Sequence, residues 1–200
     1  TAHQLGTPIS SLMAWTQYLD GKTFNETYAN EINKDLQRLE TITHRFSKIG
    51  SVPELKEENI CAVIQNAINY LQTRCSKKVK IVTNFPKEEL HVELNGYLFE
   101  WVIENISKNA IDAMNGRGTF IVTVSADTHH VYIDLSDTGK GIPQKLQKKI
   151  FESGYTTKAR GWGLGLSLAK RIIQDYHKGR IFVKYSVEGQ GTVFRIVLNR

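Results

Sequence analysis

Two hundred residues with 40% hydrophobic content can enclose a core, and they allow one large domain or a small one followed by a larger one. No apolar run approaches the roughly eighteen residues of a membrane span and no charged-then-apolar leader opens the chain; a cytoplasmic location without membrane contact in this stretch is expected, with anchoring of the complete protein through other segments left open. The net charge of +6 comes from scattered lysines and arginines, densest at Lys77, Lys78 and Lys80, without interleaved aromatics, which argues against nucleic acid and for phosphates or acidic partners.

Residues 1–52 predict two helices. Leu5, Ile9, Leu12 and Leu19 form one apolar stripe, and Ile32, Leu36, Leu39 and Phe46 repeat it after the turn Asp20-Gly21-Lys22-Thr23-Phe24-Asn25. An antiparallel hairpin with one stripe per helix cannot enclose a core alone, so two hairpins should pair into a four-helix bundle, giving a homodimer. His3 stands two positions before Leu5, about 200° round the helix, and points away from the seam with Thr7 one turn below it. Pro8 should bend the helix just after Thr7.

The segment Ser47 to Glu58 carries Gly50, Pro53 and a charge run and reads as a linker, dividing the chain into 1–52 and 53–200. Beyond it come a helix (Asn59 to Cys75), a strand (Val79 to Phe85), a short strand (His91 to Leu94), a helix (Tyr97 to Met114) and two strands (Thr119 to Ser125, His130 to Leu135). A glycine-containing loop, a helix (Leu164 to His177) and two strands (Gly179 to Val187, Thr192 to Leu198) complete it. This order predicts a helical layer on one face of a mixed sheet. Cys61 and Cys75, fourteen positions apart in one helical pattern, would lie roughly 21 Å apart along the axis and are expected to be reduced. The histidines His44, His91, His129, His130 and His177 show no shared metal-ligand spacing.

Three strings carry chemistry. Asn105 and Asn109 are four apart, so a 3.6-residue repeat places both amides on one helical face while Val102, Ile103, Ile106, Ala110 and Ala113 can face a core. An amide oxygen is a hard, neutral donor suited to a magnesium ion that takes its other ligands from water and phosphate. Alone, such a pair is more commonly a solvated helix surface. Asp137-Thr138-Gly139-Lys140-Gly141-Ile142-Pro143 sets a carboxylate at a strand end beside two glycines; the carboxylate can accept from the exocyclic amine of adenine, and an ordinary Asp-Gly turn is the plainer alternative. Gly161-Trp162-Gly163-Leu164-Gly165-Leu166 opens a helix, where free N–H groups favour phosphate, yet it is neither a Walker loop nor a dinucleotide fingerprint.

Taken in order, these strings resemble those of the bacterial two-component sensor histidine kinases, over essentially the whole chain. His3-Gln4-Leu5-Gly6-Thr7-Pro8-Ile9 resembles their phosphoacceptor box, Asn105 to Asn109 the N box and Asp137 to Gly141 the first glycine box. Ile150-Phe151-Glu152 with Thr156-Thr157-Lys158 resembles the F box, Gly161 to Gly165 the second glycine box, and Gly189-Gln190-Gly191-Thr192-Val193-Phe194 the closing strand motif. The resemblance implies an α+β chain: a dimerisation and histidine-phosphotransfer hairpin, then an ATP-binding α/β sandwich of the Bergerat type. It implies ATP and Mg2+ as cofactors, with Asn109 and Asn105 at the metal and Asp137 at adenine beside Thr192. Lys108 and Lys158 become candidate phosphate contacts, with Thr157, Gly139, Gly141, Gly161, Gly163, Leu164 and Gly165 completing the nucleotide site and a lid spanning Ile142 to Gly161. His3 would attack the γ-phosphorus in line, and an aspartate on the receiver domain of a response regulator would then take the phosphoryl group.

One position departs from that pattern. Family members usually carry an acidic residue after the acceptor histidine, and here it is Gln4, an amide that can orient the ring but is a negligible base near neutral pH. A slower autokinase step, with water taking the proton, is the expectation. Thr7 matches the polar residue that aligns water in kinases that also dephosphorylate their receiver; a pre-proline residue without a role is its plain alternative. Trp15 and Tyr18, a few turns below His3, are candidates either for receiver docking or for bundle packing. The rival class is the hydrolysing ATPases of the same fold, which place a glutamate four residues before the metal asparagine; that position is Asn105, and Glu104 is rotated off the metal face. A non-catalytic ATP-binding scaffold for a receiver is the other alternative.

Overall fold

The computed structural model describes residues 32, 53–158 and 163–200. The chain divides into two compact units, Thr1–Pro53 and Glu54–Arg200. The predicted hairpin lies outside the described residues apart from Ile32, which is helical, and so do His3, Gln4, Thr7, Trp15 and Tyr18.

Within the second unit, strand β1 (Lys56–Asn59) leads straight into helix α1 (Ile60–Gln72). Asn59 is the N-cap: its Oδ1 accepts from the Cys61 and Ala62 N–H groups at 3.0 and 3.3 Å, satisfying donors that the first turn would otherwise leave open. Ile60, Val63, Ile64, Ala67, Ile68 and Leu71 recur at helical spacing and are buried. Strand β2 (Val79–Asn84) and the short β3 (His91–Leu94) follow, then helix α2 (Gly96–Ala113), which buries Leu98, Phe99, Val102, Ile103, Ile106, Ser107 and Ala110. Phe99, Ile103 and Ile106 are fully enclosed, each contributing about 1.5–3 kcal/mol.

Strands β4 (Gly118–Ala126) and β5 (His130–Asp137) form a hairpin; two 3-10 turns (Gln144–Leu146, Lys149–Phe151) lead on, and helix α3 (Gly165–Arg171) continues as a π-helical turn, Ile172–Tyr176. Strands β6 (Arg180–Val187) and β7 (Gly191–Asn199) close the chain. The main sheet has the order β2-β4-β5-β7-β6 and is antiparallel except for the β2–β4 pair. Alternation is clean on β5: Val131, Ile133, Leu135 and Asp137 are buried, with partly exposed neighbours between them. Val131, Ile133 and Leu135 join Phe120, Val122, Phe194, Ile196 and the apolar stripes of α1 and α2 in one core. The helix-on-mixed-sheet arrangement matches the sequence expectation. The segment read as linker does not stay irregular to Glu58, because Lys56–Asn59 pairs antiparallel with His91–Leu94.

Polar contacts of Asn95 fix the start of α2. Asn95 caps it, accepting from Leu98 N–H at 3.1 Å and donating from Nδ2 to the Glu54 carbonyl at 3.1 Å. The Asn95 N–H in turn donates to Nε2 of the buried His177 at 3.0 Å, while His177 Nδ1 lies 2.9 Å from the Ile172 carbonyl. The imidazole therefore carries its proton on Nδ1 and is neutral, and burial holds its pKa below the ordinary value.

Candidate functional site

Helix α2 presents Asn105, Asn109 and Asp112 at spacings of four and three, hence on one stripe, and each meets a different segment. Asn105 lies against the start of α3: a Cβ on Gly165 would stand 2.4 Å from Asn105 Oδ1, so glycine is what lets α3 approach this closely. Asn109 Oδ1 accepts from Lys158 Nζ at 2.7 Å, and Asp112 Oδ2 accepts from the same ammonium at 2.5 Å. One residue on, the Ala113 carbonyl accepts from the Lys140 N–H at 3.1 Å. A single helical face thus joins the α3 start, the Lys158 segment and the glycine loop.

That loop begins at Asp137, the last residue of β5, which is only 5% exposed. Its Oδ1 accepts from the Gly139 N–H at 2.8 Å, and the Thr192 backbone also bonds the carboxylate. Burial raises the carboxyl above its ordinary pKa, against the lowering pull of those two amides. An ionised carboxylate offers about four lone-pair sites, so two amides leave room for an exocyclic amine. Gly141 has φ +72°, and a Cβ there would come within 2.1 Å of the Val187 carbonyl, so the loop folds directly onto the end of β6.

Ser186 locks this contact. It accepts from the Ile142 N–H at 2.8 Å, donates to the Gly191 carbonyl at 3.0 Å, and lies 2.9 Å from Thr192 Oγ1. Sequence reasoning missed Ser186, which sits in an ordinary strand pattern and acquires its role only through partners from distant segments.

The other predicted residues differ in their placement. Thr157 is exposed, beside Lys158. Leu164 is half-buried, and its carbonyl accepts from Leu168 N–H and Ser167 Oγ; the Gly163 carbonyl accepts from the Gly154 N–H at 3.0 Å, drawing together the two ends of the segment that carries Lys158. Gly161 and its neighbour Trp162 lie outside the described residues. Lys108 is turned away from Asn109: it pairs with Glu104 at 2.9 Å, and its Nζ lies 5.8 Å from the Tyr70 ring centroid. The i, i+4 Glu-Lys spacing was a readable sign of that pairing.

Asp112 was not among the residues expected, since a carboxylate three places after Asn109 reads as helix surface. Together the two residues supply one neutral and one charged oxygen, hard donors already gathered round a cationic group, and this fits magnesium. Among the described residues no group of three or more His, Cys, Asp or Glu side chains could hold a metal, so an ion here would take its remaining ligands from phosphate and water.

The profile of the histidine kinase-, DNA gyrase B-, and HSP90-like ATPases matches residues 95–200. Sporulation kinase E of Bacillus subtilis (strain 168) is 33% identical over 207 residues, covering 98% of this chain and 27% of the relative, so the chain spans about a quarter of that protein's length. The solved catalytic domain of histidine kinase ThkA superposes with a TM-score of 0.67 at 30% identity, covering 74% of this chain and 96% of that one. ThkA in complex with the response regulator protein TrrA gives a TM-score of 0.67 at 26% identity, covering 99% of this chain and 59% of that one. The chain belongs to the histidine kinase-, DNA gyrase B- and HSP90-like ATPase family, and its residues 95–200 form an ATP-binding domain of the two-component histidine kinase kind.

Proposed function

We propose that the chain is the transmitter portion of a sensor histidine kinase: it binds Mg-ATP in the second unit, phosphorylates His3, and passes the phosphoryl group to an aspartate of a response regulator. The observation that carries the reading is the stripe on α2, along which Asn109 and the glycine loop after Asp137 lie one turn apart. In this reading Asp137 takes the adenine amine, with Thr192 beside it, and Asn109 holds the metal against the phosphates. Lys158, and Lys108 after a change of rotamer, supply positive charge to the triphosphate. Magnesium, when bound, would neutralise phosphate charge; His3, with a neutral imidazole nitrogen, supplies the nucleophile. The hairpin 1–52 would form the homodimer and carry the docking face for the receiver. The ThkA–TrrA complex, a kinase of this fold with a response regulator, supports that choice of partner.

Incubation of the chain with γ-labelled ATP and magnesium tests the reading, with His3→Gln and Asn109→Ala as comparisons. Acid-labile, alkali-stable label that requires both residues is the expected result. ATP binding without label would favour the second reading, an ATP-binding scaffold or receiver phosphatase, to which Gln4 lends weight by withholding a base from His3. Sustained phosphate release independent of His3 would place the chain with the hydrolysing ATPases and overturn the kinase assignment.

A further inference from the structure

Lys158 Nζ is held by two oxygens from one helical face, Asn109 Oδ1 at 2.7 Å and Asp112 Oδ2 at 2.5 Å. The family reading accounts for Asn109 alone. Asp112 is exposed, has no other ion pair among the described residues, and lies one helical turn from the amide that would meet the metal. A fixed negative charge at that place has opposite effects on the two forms of the ligand. It repels a bare triphosphate and attracts a divalent cation, directly or through the ion's water shell.

We infer that Asp112 is a specificity-determining residue that makes the nucleotide site select metal-bound over metal-free nucleotide, and that Lys158 is the tethered cation occupying the same pair of oxygens until nucleotide enters. The inference rests on the nucleotide-site reading and goes one step past it. Without a ligand, the ammonium offsets the carboxylate. When a triphosphate arrives, Lys158 turns to the phosphates, and the two oxygens need a replacement cation. Metal-free nucleotide cannot provide one, so Asp112 then faces phosphate with its charge uncompensated. Metal-bound nucleotide brings the replacement with it.

The test is equilibrium binding of ATP to the full 200-residue chain, measured by calorimetry in excess magnesium and again in excess chelator. The readout is the metal-free dissociation constant divided by the metal-bound one, for the original chain, Asp112→Asn and a matched control, Asp175→Asn. Asp175 pairs with Arg171 at the far end of α3, so its replacement removes a carboxylate of equal charge away from the two oxygens. Asp112→Asn should weaken metal-bound binding and tighten metal-free binding, so that the ratio falls by about tenfold while Asp175→Asn leaves it in place. A ratio in Asp112→Asn equal to that of the original chain, or an equal fall in Asp175→Asn, overturns the inference while leaving the nucleotide site standing. Failure of the original chain to bind ATP in either condition overturns the nucleotide-site reading itself, and the inference with it.

Discussion

A carboxylate that is 5% exposed is costly to keep charged, and among the described residues no cationic side chain compensates Asp137; two backbone amides do that instead. Such an arrangement makes sense where an incoming donor completes the shell. For an acid with a raised folded pKa, the stabilising contribution is fully present below the unfolded value and is lost as pH rises through the folded one, so ionising Asp137 adds nothing to folding, as the proposed binding role would have it. Replacing Asp137 by Asn should therefore leave the unfolding free energy at pH 7 within about 1 kcal/mol of the original while weakening ATP by about tenfold or more, the scale of a hydrogen bond to a charged group. Calorimetric titration with ATP beside urea unfolding separates the two effects. Unchanged ATP affinity would remove Asp137 from the adenine site, and a collapse of folding would make it structural. The same residue was legible in the sequence, because a strand end followed by Gly-x-Gly is a local pattern. Asp112 was not, because its meaning comes from Lys158, forty-six positions away.

At the scale of elements, the helices and the main sheet were legible because each carries its own period: two buried stripes at 3.6 on α1 and α2, and alternation at 2 on β5. Strand β1 was not, since Lys-Glu-Glu-Asn has no alternation of its own and becomes a strand only opposite His91–Leu94. His177 also gave no local sign. It joins two elements, taking the Asn95 N–H at the head of α2 on Nε2 and bonding the Ile172 carbonyl of the π-helical turn through Nδ1. Protonation of Nε2 would leave two hydrogens facing each other across a 3.0 Å contact, so the joint requires the neutral ring. With a folded pKa below the unfolded 6.5, stability from this group is complete above about pH 6.5 and is lost as pH falls toward the folded value. Urea midpoints taken from pH 7.5 down to 5.5 should decline in the original chain. His177→Gln should be less stable at pH 7.5 by about 1–3 kcal/mol, from unmet backbone groups, yet show a shallower decline. Parallel slopes in the two chains would show that His177 carries no part of the pH dependence.

For the whole chain, the proposed kinase reaction depends on the pair His3-Gln4 in the sequence as well as on the nucleotide site of the second unit. The nucleotide site can position a γ-phosphate, but transfer also needs a proton removed from the attacking imidazole, and an amide cannot remove it. In the proposed reaction water would take the proton, and the step is expected to be slow relative to what the bound nucleotide would permit. Gln4→Glu restores a carboxylate that can orient the ring and take the proton. If base catalysis limits the step, the initial rate of His3 labelling at saturating Mg-ATP and pH 7 should rise by about 10–100-fold, at the lower end of the range for a positioned general base. Gln4→Ala, which removes orientation but no base, should change it by much less. ATP affinity should be the same in all three, since the proposed function puts Gln4 beside the acceptor and not in the nucleotide site. A rate unmoved by Gln4→Glu would mean that proton removal is not limiting. A rate raised as expected would identify this chain as a kinase slowed at its acceptor histidine, with the nucleotide machinery of Asn109, Asp137 and Lys158 left intact.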